Sequence, residues 1–294
     1  WEVAAMTARL PAPGLGGITA VAAGGVAYIF GGVSGPPPTS VVDTILRYDP
    51  AADAIETLAV RLPQPTFLAA VAWDGTHAYV FGGFAGTALT DAIVRFDPAA
   101  PAVTTMTARL PEPLARTAVA EDEHYLYVMG GNTGGFTPTG FVGTIAIYDP
   151  VGDTVRAGVG IPSPRASRIG AIRCNGGIYF FGGWGPSGKF DQVLLYRPDV
   201  EITVLPARLP EALDGGSLAC DGTRIYLFGG ETATAIVDDI VVFDTTDDSI
   251  ATAPVTLPTP RKGHAAVWIG GSAYVFGGQT ETGLTAEILR VTPP

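Results

Sequence analysis

The side chains that could do chemistry in this chain are few, and their spacing limits that chemistry. There are three histidines, His77 (DGTHAYV), His124 (DEHYLYV) and His264 (PRKGHAA), and two cysteines, Cys174 (IRCNGG) and Cys220 (LACDGT). No CxxC, HExxH or GxSxG occurs, so no zinc ribbon, zincin helix or nucleophile elbow is available. The run Glu121-Asp122-Glu123-His124 has metal-ligand residue types, but on a short turn it reads as a solvated charge cluster. No metal site and no cofactor is expected. The cysteines occupy matching places in neighbouring segments. Two buried free thiols are the expectation, and a disulfide, which needs Cα atoms within about 7 Å, is the alternative.

A recurring Gly-Gly is the other candidate. AYIFGG (27–32), AYVFGG (78–83), LYVMGG (126–131), IYFFGG (178–183), IYLFGG (225–230) and AYVFGG (273–278) repeat one phrase six times. Phosphate cradles use GxGxxG or GxxxxGK[ST] and open a helix, and no helix-like run follows any of these pairs. Glycine tolerates positive φ and close approach of a neighbouring chain, so the pairs read as backbone geometry and their tyrosines as packing.

The elements around this phrase define its context. The first glycines, Gly31, Gly82, Gly130, Gly182, Gly229 and Gly277, follow one another about 50 residues apart. Each unit runs in a constant order: an LPxP-like start, an apolar strand such as ITAVAA (18–23), a Gly-rich turn, the Gly-Gly strand, a variable loop, and two further strands such as ILRYDP (45–50) and IETLAVRLP (55–63). Short alternating apolar runs bounded by Gly, Pro and Asp predict strands, with no sustained helical period. Four strands cannot bury both faces of a sheet alone, so six units stack around an axis as the blades of an all-β, six-bladed β-propeller. Residues 1–294 read as one such domain. The last unit lacks a fourth strand, but MTARLP (6–11) is identical to 106–111. Residues 1–11 are therefore expected to supply the outer strand of the last blade and close the ring.

This order places the fourth-to-first connections and the second-to-third loops on one face, where binding function concentrates. The connections read PAPGLGG, PQPTFLA, PEPLART, PSPRASRIG, PEALDGG and PTPRKGH, so Arg116, Arg165, Arg168, Arg261, Lys262 and His264 come from three blades only. His77 and His124 fall in turns at the opposite end and cannot share a metal with His264. The second-to-third loops add Phe84, Phe136, Trp184, Lys189, Glu231 and Gln279, types that stack on or hydrogen-bond to a sugar or peptide. The candidate ligand-binding set is Arg116, Arg165, Arg168, Trp184, Glu231, Arg261, His264 and Gln279. The alternative is that these arginines bridge blades or pair with Glu112, Glu211, Asp214 and Glu231.

Bulk composition narrows the partners. A net charge of −11, with 17 basic against 28 acidic residues, argues against nucleic acid. The 39 Gly and 25 Pro interrupt every apolar run before the roughly 18 residues a membrane helix requires. The chain opens at Trp1 without a leader pattern, so it reads as a processed or excised piece whose targeting segment is not in view.

Over essentially its whole length the chain resembles the kelch-repeat propellers, with Gly-Gly after an apolar strand and a downstream aromatic in most units. The usual fourth-strand Trp is absent, and YDP or FDP followed by a Thr-, Ala- and Val-rich strand replaces it. In this it resembles secreted or surface kelch proteins of archaea and bacteria, which implies an extracellular or cell-surface location. The leading expectation is a non-catalytic propeller that binds a protein segment or glycan at the loop face. A second reading is similar to the kelch-fold sialic acid epimerases, with Glu231 and His264 moving protons on an anionic sugar. A third is an architectural module of a larger surface or filament protein.

Overall fold

The apolar alternation does produce strands, arranged in the computed structural model as six four-stranded antiparallel sheets. The structure describes residues 1–135, 137, 139–163, 170–198 and 200–294. Blade 1 consists of Thr19–Ala23, Val26–Phe30, Thr44–Asp49 and Ala54–Arg61, in that order from one edge to the other. The second strand, VAYIF, is buried at every position, whereas the fourth alternates between exposed and half-buried residues. This gradient follows from position: second strands are covered by neighbouring blades on both faces, and fourth strands form the rim. Blades 2 to 5 repeat the pattern, starting at Ala70–Trp73, Ala118–Glu121, Ala171–Cys174 and Ser217–Cys220.

Blade 6 is assembled from both ends of the chain. Ala265–Ile269, Ser272–Phe276 and Glu287–Thr292 supply three strands, and Glu2–Arg9 pairs antiparallel with the last of them, Glu2 opposite Thr292 and Ala5 opposite Leu289. Just beyond the strand, the Leu10 N–H donates to the Ala286 carbonyl at 2.9 Å.

The six phrases that count the blades also join them. Each phrase tyrosine packs against an aromatic ring of the next blade: Tyr28 on Phe96, Tyr79 on Tyr148, Tyr127 on Tyr196, Tyr179 on Phe243, Tyr226 on Trp268 and Tyr274 on Tyr48, with centroids 5.2–5.7 Å apart. The third strand of blade 6 ends in Val291 where the others carry Tyr or Phe, and Trp268 of the first strand provides the missing ring. Such pairs contribute about 0.5–1.5 kcal/mol each beyond area burial.

The Gly-Gly pairs make the matching backbone clasp. Both glycines have positive φ in every phrase, 58° and 103° at Gly31 and Gly32. In five of the pairs the second glycine donates its N–H to a described connection of the next blade, Gly32 to Thr66 O at 2.8 Å and Gly278 to Leu15 O at 2.8 Å among them. A Cβ on Gly31 would lie 2.0 Å from Thr66 O, so a side chain there would force the blades apart.

Blades 4 and 5 are also covalently joined. Cys174 and Cys220 form a disulfide with Cα atoms 6.0 Å apart, which corrects the expectation of two free thiols. Both cysteines end the first strand of their blade, and adjacent first strands lie within bridging distance.

Candidate binding face

The connections that enter the first strands turn sharply at the axis. Gly17, Leu68, Arg116, Gly215 and Gly263 all sit at equivalent places with left-handed φ of 54–76°. Their backbones interlock around the channel mouth: Gly17 N–H donates to Gly263 O, Leu68 to Gly17, Arg116 to Leu68 and Gly263 to Gly215, at 2.7–3.0 Å. Leu68 and Arg116 hold this conformation despite a Cβ, at a cost of roughly 1–2 kcal/mol that glycine avoids.

Around this belt the face divides into two sectors. Toward blades 1 to 3, Phe67 and Phe84 stack at 5.1 Å within a buried cluster that includes Leu68 and Ala115. Toward blades 4 to 6 the face is charged. The chain's only two lysines, Lys189 and Lys262, converge on one carboxylate. Lys262 Nζ donates to Glu231 Oε1 at 2.5 Å; Lys189 Nζ donates to Glu231 Oε2 at 3.2 Å and to the carbonyls of Glu231 and Thr232 at 2.7 Å. Three consecutive blades thus share one ionic contact. Burial pushes the Glu231 carboxyl up, but the hydrogen bond and charge of Lys262, with help from Lys189, outweigh it and hold the group below the usual carboxylate range. Between the sectors Trp184, half-buried, meets Phe141 edge-on at 5.5 Å.

The candidate residues separate on this geometry. Trp184, Glu231 and Gln279 lie on the loop face; Gln279 is exposed and bridged through its backbone to Lys262. Arg116 is half-buried at the channel mouth, its Nη1 donating to Gly135 O at 2.8 Å. Arg165 and Arg168, with Phe136, lie outside the described residues. Arg261 does not face a ligand. It is completely buried, donates from Nη2 to Glu287 Oε2 at 2.7 Å and from Nη1 to Gly277 O at 3.2 Å, and occupies the place held by Leu15, Leu114 and Leu213 in other blades. It is a core position whose charge is neutralised by Glu287.

His264 is also buried, 3% exposed, and neither ring nitrogen has a hydrogen-bond partner among the described residues. Burial, reinforced by the Arg261 charge, lowers its pKa from 6.5 to about 3; the Phe228 backbone opposes this from outside regular hydrogen-bond geometry. It is neutral at physiological pH and separated from solvent, unlike a working acid or base. The Glu121–His124 run forms a turn in which Asp122 accepts the Tyr127 hydroxyl and the backbone N–H groups of His124 and Tyr125, each at 2.7 Å for the latter two. Among the described residues no three His, Cys, Asp or Glu side chains are grouped to hold a metal, and no helix is long and apolar enough to cross a membrane.

Phe141 was not among the candidates, and the lysines were named without their shared partner. Pairing across three blades has no local sequence signature; only the scarcity of lysine, with both copies in loops of one face, marks them.

Six four-stranded blades around a channel, with variable loops gathered on one face, define a six-bladed β-propeller. A family model described as the KLHDC2/KLHL20/DRC7 Kelch-repeats domain matches residues 171–292. The solved structure of YjhT superposes with a TM-score of 0.80 at 15% identity, covering 97% of this chain and 96% of its own. Among curated proteins, none matches the chain. The chain thus has the β-propeller fold over its whole length and matches a kelch-repeat model over residues 171–292.

Proposed function

We propose that this propeller is a non-catalytic binding module whose loop face receives a protein segment or a glycan, in an extracellular or cell-surface setting. The observation that carries the reading is the convergence of Lys189 and Lys262 on Glu231 beside the Phe141–Trp184 pair. Two cations sharing one carboxylate leave a net positive charge on a protein of net charge −11, and a ligand carboxylate can compete for it. The adjacent Trp184 supplies a flat apolar surface for a sugar ring or an aliphatic side chain. The disulfide supports the location, since such bonds persist in oxidising compartments.

The test is binding to peptide and glycan arrays by the wild type, Lys262→Glu and Trp184→Ala. Loss of the wild-type hits in both variants, with unchanged melting curves, is the expected result; undiminished binding removes this site.

A further inference from the structure

Of the chain's four tryptophans, Trp1, Trp184 and Trp268 each pack against another aromatic ring, and Trp73 packs against none among the described residues. Trp73 and Trp268 hold equivalent places, opposite Ala78 and Ala273 in the first two strands of blades 2 and 6. Trp268 stacks on Tyr226 of blade 5, but the matching tyrosine of blade 1, Tyr28, is already covered by Phe96 of blade 2. Trp73 is therefore surplus to the packing of blades. Half-buried, it lines a groove of about 610 Å³ between blades 1 and 2, on the face opposite the variable loops. That volume is in the range of small-molecule sites.

Two local features leave the groove uncovered. The turn of blade 1 beside it is Gly24-Gly25, which puts no side chain over it. In blade 2, Pro101 stands where blades 1 and 3 have Asp53 and Asp153. Each of those carboxylates bridges to the outer strand of the preceding blade, Asp53 Oδ2 accepting the Thr7 N–H at 2.6 Å and Asp153 Oδ2 the Thr107 N–H at 2.8 Å. Proline has no such acceptor, so the seam between blades 1 and 2 lacks this bridge.

The polar groups of the lining select the ligand. Thr76 Oγ1 donates its one hydrogen to Asp74 Oδ1 at 2.8 Å, so it accepts from His77 Nδ1–H at 2.9 Å and leaves His77 Nε2 as an acceptor. Asp97 Oδ1 accepts the Ala99 and Ala100 N–H groups at 2.8 and 3.2 Å, while its Oδ2, 3.9 Å from His77 Nε2, accepts no hydrogen bond from the described residues. Two acceptors thus stand side by side next to two donors, the Trp73 indole N–H and the Arg47 guanidinium. Arg47 is paired with Glu56 at 3.3 Å and Asp49 at 3.5 Å, so it attracts no anion. An ammonium group only donates and a carboxylate only accepts; hydroxyls do both, and a ring carrying several of them satisfies the whole lining.

We propose that this groove is a binding site for a neutral pyranose, its C–H face laid on Trp73 and two neighbouring hydroxyls donating to His77 Nε2 and Asp97 Oδ2. The site is independent of the loop-face ligand, from which the depth of the propeller separates it.

The experiment labels the protein with fluorotryptophan, assigns the Trp73 fluorine resonance by its loss in Trp73→Phe, and titrates methyl β-D-glucopyranoside, whose ring presents axial C–H groups on both faces. The expected result is a saturable shift of the Trp73 resonance that neither the acyclic polyol sorbitol nor the cation choline reproduces. Asp97→Asn keeps the Oδ1 acceptor of the turn but replaces the Oδ2 acceptor by a donor, and should raise the dissociation constant about tenfold. Trp184→Ala, on the loop face, should leave this titration unchanged. A Trp73 resonance that does not move, an equal shift with sorbitol or choline, or equal affinity in wild type and Asp97→Asn overturns the proposal; array binding at the loop face is read separately and decides the other site.

Discussion

Breaking the Cys174–Cys220 bond should weaken the protein through its unfolded state rather than its folded one. The bond closes a segment of sequence separation 46, and the chain-entropy relation gives about 4 kcal/mol at 25 °C for a loop of that length. In the folded protein Cys174 is 2% exposed and packed with Leu195, Leu218 and Phe243, so two reduced thiols occupy nearly the same volume and lose little contact. The native penalty is therefore small and the entropic gain of the reduced unfolded chain dominates. For 294 residues the unfolding entropy near 60 °C is roughly 0.6 kcal/mol/K, which converts this loss into a Tm decrease of about 6 °C.

The comparison must use wild-type protein unfolded and refolded with and without reductant. Cys→Ala variants add a small cavity of their own, worth about 1 kcal/mol. Thiol titration in denaturant fixes the starting state: no reactive thiol without reductant, two with it. Two reactive thiols in the unreduced protein would refute the bond, and an unchanged Tm after verified reduction would refute the entropic reasoning. Amide exchange should loosen first along Ala171–Cys174 and Ser217–Cys220, the two strands joined by the bond.

Deleting residues 1–11 removes the fourth strand of blade 6 and the partner of Glu287–Thr292, and is expected to cause aggregation or a large fall in Tm; an unchanged melting curve would show that the first strand contributes little. Arg261→Glu places two carboxylates together in the core and should prevent folding, whereas R261L/E287Q, which restores the leucine of other blades, should retain it; soluble Arg261→Glu protein with a wild-type Tm would contradict the burial. His264 makes stability depend on pH. Its folded pKa of about 3 lies below the unfolded 6.5, so the unfolded chain binds the extra proton between them and stability falls as pH drops through that window, by about 2 kcal/mol at pH 5. Asp53, Asp122, Asp153 and Asp221 are held low despite burial, by backbone N–H and tyrosine hydroxyl donors, so the stability they contribute is lost only below about pH 4. Denaturant unfolding of His264→Gln from pH 7 to pH 4.5 should therefore show a flattened pH profile, and an unaltered slope would assign the effect elsewhere.

The blade count, the strand order and the origin of the last blade's fourth strand were legible because each rests on a pattern repeated along the chain. One Gly-Gly would be ambiguous, but six at near-constant spacing define a register, and MTARLP at 6–11 and 106–111 marks two equivalent outer strands. The site was less legible because equivalence of position does not reveal orientation. Arg261 and Lys262 are adjacent in sequence and both basic, yet one lies in a leucine place of the core and the other reaches Glu231 on the face. Side chains of an extended connection alternate in direction, so a single residue decides between burial and presentation. The register needed to decide it was already present, counted back from each Gly-Gly. Leu15, Leu114, Leu213 and Arg261 each bury their side chain at the same place, and the next position, Gly16, Ala115, Asp214 or Lys262, forms the bridge to Val33, Asn132, Glu231 or Gln279. Comparing blades position by position, rather than grouping basic residues by loop, assigns Arg261 to the core and, among the described residues, leaves the two lysines on the charged sector of the face.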